Sequence, residues 1–358
     1  MSQKVSNKGE WCEFYTHIKI LSDGFVIKAD SNLEPDYKKV YKVLTVYNQN
    51  NIETGIKYEI QPNKVIIKSN DGLIVGEMIS LDIKNKANII FNKIINGLNT
   101  FEIEEAELLA KSLNLSDFKA INSKSDITLD IDNPYLNCIS KEGFSIKSKL
   151  NAESTLVNAS KQTRFTYEIE NLPIDNFNEI NKIDGSGKII KRVAKIIENG
   201  GLFKFNKIES EIFSRNIKKV DSLLDVILSK MLLFTYVYKC KKLKDIFELD
   251  IFIHFLKEVG LDKDSAIYKV KRFLWAYALG MEPSTLWNGE DFVNGGLLWV
   301  KNDGLILCHH IFEKKELEDY LFKNTFFETP STTRHDFGTL IVEKDSIIFR
   351  LCLQIRFY

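Results

Sequence analysis

Apolar residues recur at Trp11, Phe14, Tyr15, Ile18 and Leu21, the spacing of a helix buried along one face, with Asn7 placed to cap it. The period then changes from helical to alternating. Residues 40–46, 57–60 and 64–68 are separated by NQNN and PNK, which predicts a small antiparallel meander. Helical spacing returns over 81–95 and 103–113. Residues 1–29 therefore read as an opening helix, and 30–120 as an inserted α+β subdomain.

Short alternating runs at 126–131 (DITLDI), 144–148 (FSIKS) and 165–169 (FTYEI) predict strands, and 121–180 reads as a core of strands. From 181 to 290 the pattern is helical, clearest over 222–239, 243–256 and 265–279. Strands return at 296–300, 305–309, 338–343 and 346–357, with an amphipathic helix at 314–322, so 291–358 forms a further strand and helix region. The fold class expected is mixed, α+β or α/β. The most apolar stretch, 223–238, is interrupted by Lys230 and falls short of the ~20 residues a membrane span needs, so it reads as a buried helix. No leader-like segment opens the sequence, and a cytoplasmic, non-membrane protein is expected.

Charge sharpens this picture. Lys+Arg and Asp+Glu are equal at 49 each among 358 residues, which argues against non-specific coating of nucleic acid or membrane. Within 182–244, however, 15 Lys+Arg face 6 Asp+Glu, a local excess compatible with a wall that tracks phosphates. The five cysteines are scattered without a CxxC pair, so zinc or redox spacing is absent. His309-His310 has neither an Asn nor a third His at useful spacing, and reads as a strand-end pair.

The central strands carry the chemistry. Asp126 opens one strand, and Lys147 lies on the next, sharing a face with Ser145 because strand side chains alternate. In a hairpin these side chains can converge. A carboxylate holding Mg²⁺ beside an ammonium suits phosphodiester hydrolysis: the metal offsets phosphate charge, and the lysine screens charge as it develops. Taken alone the spacing is common, and a turn-capping Asp with a solvated Lys is the better account of it.

Three separated blocks add to this: NKGEWCEFY near the start; GFSIKSKL, STLVNAS and TRFTYEI in the middle; TPSTTRHDFG and LCLQIRF at the close. Together they resemble the HpaII-type family of type II restriction endonucleases, within the PD-(D/E)XK nuclease superfamily. The resemblance implies a mixed sheet flanked by helices and a site-specific deoxyribonuclease using Mg²⁺. It further implies cleavage of double-stranded DNA at CCGG after the first C, blocked when a cognate methyltransferase has modified the site. Asp126 would take the place of the superfamily's first Asp and Lys147 that of its Lys. Ser145 stands where the second acid is expected, and a hydroxyl replaces a carboxylate metal ligand poorly.

A second acid must then come from elsewhere. Related nucleases carry a Glu on the first helix after a similar KG, which points to Glu13, with Glu10 on the same helix face. Glu168 on the FTYEI strand is the rival, and Asp130, sharing the strand face of Asp126, is the fallback metal ligand. Arginine suits guanine N7 and O6, and acids accept from cytosine N4. Arg334, His335 and Asp336 are therefore expected to read or grip DNA from a loop, with Gln354 and Arg356 on the polar face of the last strand. Asn158, Gln162 and Arg164 are expected beside the flanking phosphates. A twofold target suits a homodimer. Two other readings stay open: a structure-specific nuclease of the same superfamily, and a DNA-binding protein without catalysis.

Overall fold

Asn7 accepts from the Glu10 amide at 3.1 Å, and Glu10 accepts in return from the Asn7 amide at 3.2 Å, closing a capping box at the start of helix Lys8–Asp23. Gly24, in the left-handed region at φ 74°, ends the helix. Its buried face carries Trp11, Phe14, Tyr15, Ile18 and Leu21, the residues that the spacing selects. The computed structural model describes residues 5–48, 55–115, 125–150 and 154–358. They divide into two compact units, Met1–Ser154 with Asp291–Leu317, and Thr155–Glu290 with Glu318–Tyr358.

The first unit is built on a nine-stranded mixed sheet. Cys138–Ser148 lies near its middle, antiparallel to Ile127–Asn133 on one side and parallel to Gly296–Val300 on the other. Gly296–Val300 pairs with Ile306–His310, which pairs with Phe25–Ala29, a strand the alternation does not reveal. Phe25–Ala29 and Ile127–Asn133 both pair with the long strand Pro35–Tyr47. Six strands thus form a closed cycle of pairing. Ile56–Ile60, Lys64–Ser69 and Ile74–Ile79 extend the sheet beyond it, so the 30–120 segment supplies four strands of this one sheet. Helices Lys8–Asp23 and Ser80–Asn96 pack together, and Tyr15 stacks on Phe91 at 4.6 Å.

The histidine pair is core. Trp299 Nε1 donates to His309 Nδ1 at 2.9 Å, which leaves Nε2–H to donate to the Asp30 carbonyl at 2.8 Å. His310 Nε2 meets the buried Glu142 carboxylate at 2.5 Å. His309 is fully buried, and burial pushes it down to about 4, so it stays neutral in the fold. The unfolded chain takes up this proton near pH 6.5 and the folded chain does not, so stability should decline as pH falls from about 6.5 to about 4. The expected loss is about 3 kcal/mol over that window. Denaturant melts in steps of pH check it; constant stability across the window would refute it.

In the second unit, Leu202–Ile208, Arg164–Glu170, Ser346–Cys352 and Leu340–Glu343 form a four-stranded antiparallel sheet in that order. Leu202–Ile208 is a strand inside the span read as helical. Helix Leu224–Val237, the apolar stretch, is buried nearly all round. The expected helix at 243–256 is two, Leu243–Ile246 and Asp250–Glu258. Among the described residues no helix is long and apolar enough to cross a membrane. The expected strand 346–357 is also two. Ser346–Cys352 stays in the four-stranded sheet, while Ile355–Phe357 joins a separate sheet between Thr155–Val157 and Thr325–Phe327. The chain turns at Leu353-Gln354, whose backbone bonds Thr163 and Glu328.

Candidate active site

The hairpin Ile127–Asn133 and Cys138–Ser148 sets the first part of the site. Ile127 faces Phe144, so one step further the register puts Asp126 opposite Ser145, and the Asp126 amide bonds the Phe144 carbonyl at 2.8 Å. Residues directly opposite in an antiparallel pair share a face. Ser145 Oγ donates to Asp126 Oδ2 at 2.9 Å, and the Ile146 amide donates to the same oxygen at 2.6 Å. Lys147 Nζ donates to Ser145 Oγ at 3.0 Å. Asp126, Ser145 and Lys147 are thus brought together in one hydrogen-bonded run, with Ser145 buried at 7% exposure and the other two partly open.

The serine in the expected acid position accepts from Lys147 and donates to Asp126, linking the ammonium to the carboxylate without adding a second negative charge.

The first helix approaches the same strand. Cys12 Sγ bonds Ser148 Oγ at 3.3 Å, one residue past Lys147, and Glu13 follows Cys12, half-buried. Burial pushes the Cys12 thiol up to about 11, so it is a neutral packing group. Glu10 serves the cap instead. Asp130 is not brought to the run: four residues along the strand places it ~13 Å from Asp126, and its carboxylate accepts from Tyr47 at 2.7 Å. Glu168 belongs to the second unit, where it accepts from Ser346 at 2.6 Å.

The residues expected at DNA all lie in the second unit. Arg334 and Asp336 are exposed and His335 half-buried, at the end of the short helix Thr332–His335, with Asp336 in the left-handed region at φ 46°. Arg164 differs from its expected role. It is buried at 6% exposure, its Nε and Nη2 donate to the His335 carbonyl at 3.0 and 2.6 Å, and Nη1 donates to Glu209 at 3.3 Å. Its guanidinium holds the loop's backbone. Asn158 is exposed and Gln162 half-buried in the short helical turn Lys161–Thr163. Gln354 and Arg356 are half-buried, and the turn at Leu353-Gln354 removes the shared strand face expected of them.

A second buried arginine holds the other end of this loop. Arg192 Nη1 donates to the Gly338 carbonyl at 2.6 Å, Nη2 to Ile183 at 2.7 Å and Asn181 at 2.9 Å, and Nε to Ile183 at 3.0 Å. Counting charge across 182–244 missed it. Its spacing from Ile189 and Ile196 on helix Lys188–Glu198 already placed it on the buried face. Gly338 sits at φ 78°, with Ile189 where a Cβ would go, so the loop's exit admits only glycine without rearrangement.

Residues 7–357 match the model of the family described as HpaII restriction endonuclease. The chain is 35% identical over 356 residues, 98% of each chain, to the Type II restriction enzyme HpaII of Haemophilus parainfluenzae. The chain belongs to the HpaII restriction endonuclease family. No solved structure matches it. As a member of the HpaII family it is a type II site-specific deoxyribonuclease, and DNA is its substrate. Type II restriction endonucleases generally use divalent metal ions, and the donors beside Lys147 suit one kind. They are hard oxygens, and among the described residues no group of three or more His, Cys, Asp or Glu stands ready to cage a metal. Hard oxygens of this kind suit a hard divalent cation.

Proposed function

We propose that this enzyme cuts double-stranded DNA at CCGG, after the first C, with Mg²⁺ as the metal and with methylation of the site as the block. The observation that carries the catalytic part is the run from Lys147 through Ser145 to Asp126. Asp126 and Glu13 would hold the metal, which when bound supplies charge neutralisation at the scissile phosphate and a more acidic water. Asp126 is kept in place by the Ile146 amide and the Ser145 hydroxyl. Lys147 presents its ammonium to the charge that builds on the phosphate. The hairpin and its helix correspond in this reading to the PD-(D/E)XK core. The loop at 334–336, with Gln354 and Arg356, serves the DNA, while Asn158 and Gln162 lie toward flanking phosphates. Two copies would serve the twofold site, inside the cell beside a methyltransferase of the same specificity.

Plasmid cleavage tests this reading. With Mg²⁺, an unmethylated plasmid should give a discrete set of fragments whose ends map to CCGG, and a plasmid methylated at CCGG should stay intact. A discrete set mapping to another sequence would overturn the assigned site. Cleavage confined to branched DNA would favour the structure-specific alternative, and binding without cleavage would favour the non-catalytic one.

A further inference from the structure

We propose that a cavity in the first unit, between the turns at 32–34 and 301–303, seats the DNA backbone phosphate next to the one that is cut. The cavity has a volume of about 300 Å³, and Lys149 and Lys301 line it together with the two turns. All of these residues belong to the unit that carries Asp126, Ser145 and Lys147. The seat rests on the cutting centre proposed above and extends it along the same DNA strand, as a contact that positions the duplex without reading bases.

Strand alternation sets the direction of Lys149. Ser148 meets Cys12 of the first helix and Leu150 joins the core there, so Ser145, Lys147 and Lys149 take the opposite face. The Lys149 amide donates to the Val300 carbonyl at 2.9 Å, which continues the parallel ladder past the end of Cys138–Ser148. Trp299 lies beside Lys147 and Val300 beside Ser148, so the next step sets Lys301 beside Lys149. Neighbouring strands stand ~5 Å apart, and like charges side by side at that spacing repel. Both lysines nonetheless border one cavity, where an anion between them would give each an opposite charge. Two residues of strand cover ~7 Å, close to the separation of successive phosphates along a DNA strand. A scissile phosphate at Lys147 therefore brings its neighbour to Lys149 and Lys301.

The walls are held in place from within. Asp30 Oδ1 accepts from the amides of Asn32 and Glu34, both at 2.8 Å, and the Tyr15 hydroxyl donates to the Gly304 carbonyl at 2.7 Å. Two acids also line the cavity, and both are engaged. Glu34 holds Lys301 at 3.3 Å, and Asp303 accepts from the Leu305 amide at 3.0 Å. Glu34 is exposed, so its pair with Lys301 is weak enough for a phosphate to displace. Lys149 is half-buried, and burial lowers its ammonium from the usual lysine value, a cost that a seated phosphate offsets. Three full-length variants test the seat: Lys149→Gln, Lys149→Arg and Glu34→Gln. Each is compared with wild type in metal-free binding to a CCGG duplex and to a duplex lacking it, across a salt series, and in single-turnover cleavage at saturating enzyme with Mg²⁺.

Lys149→Gln should lose about fivefold in affinity for either duplex and flatten the salt slope by about one, with the saturated cleavage rate within a few-fold of wild type. Lys149→Arg should restore both affinity and slope. Glu34→Gln, which releases Lys301, should bind about twofold more tightly, a direction that misfolding does not produce. Wild-type affinity and slope in Lys149→Gln, or no gain in Glu34→Gln, would overturn the seat. Thermal melts in inorganic phosphate, against chloride of equal ionic strength, separate the two sources of a phosphate. Stabilisation of wild type by phosphate, with duplex affinity unchanged in the variants, would assign the cavity to free phosphate and overturn the DNA contact. Undiminished cleavage by Lys147→Ala would instead count against the cutting centre, while the salt slopes would still decide whether Lys149 grips DNA.

Discussion

Replacing Asp126 by Asn or Lys147 by Ala should reduce cleavage by about 10³-fold or more while leaving duplex binding within a few-fold of wild type. At 1.36 kcal/mol for each tenfold this is about 4 kcal/mol of transition-state stabilisation, a magnitude common for loss of one electrostatic group at a reacting phosphate or carbonyl. Asn is the cleaner change at 126. Its amide oxygen can still accept from the Ile146 amide that now donates at 2.6 Å, so the hairpin keeps its register while the charge is lost. Ala would also leave that amide without its acceptor, at a further cost of about 1–3 kcal/mol. Single-turnover cleavage gives the rate, and gel shifts without metal give the binding. Near-wild-type cleavage by either variant would overturn the assignment of this run. Glu13→Ala belongs in the same series: full activity would make the helix acid structural.

The largest stability effect is expected at Arg192. Changing it to Met keeps much of its volume and removes four donated hydrogen bonds, leaving the carbonyls of Gly338, Ile183 and Asn181 without them. A loss of about 3–5 kcal/mol in unfolding free energy is expected from bonds to a charged donor and the desolvated carbonyls left behind. Lys should restore only part, because one ammonium cannot reproduce a planar fork aimed at three carbonyls. Denaturant unfolding measures the effect, and a change under about 1 kcal/mol would refute it. The loop at 331–338 should suffer beyond the global loss. If the loop reads DNA as proposed, Arg192→Met should also lose discrimination between the proposed CCGG site and altered duplexes at temperatures where the protein remains folded.

Local pattern carried the elements whose partners are near in sequence. The helix after Asn7 was legible because its cap and its apolar stripe agree, and Asp126 converging on Lys147 was legible because one hairpin fixes that register. Pairing across the chain was not. Phe25–Ala29 shows no alternation, since four of its five residues are buried, and nothing in 296–300 announces that it lies parallel to Cys138–Ser148. Arg164 and Arg192 illustrate the limit of charge counting: the residue type suits phosphate, but burial decides that both hold backbone.

The parallel pairing of Gly296–Val300 with Cys138–Ser148 has a consequence during synthesis. A ribosome has already delivered Asp126, Ser145 and Lys147 when it reaches residue 148, yet Leu297 and Trp299, which flank Ser145 and Lys147 in the sheet, come far later. Until they arrive, the strand bearing the lysine has an open edge and the cycle of strands is incomplete. Chains that end before residue 296 should therefore lack the completed strand cycle around the proposed catalytic run.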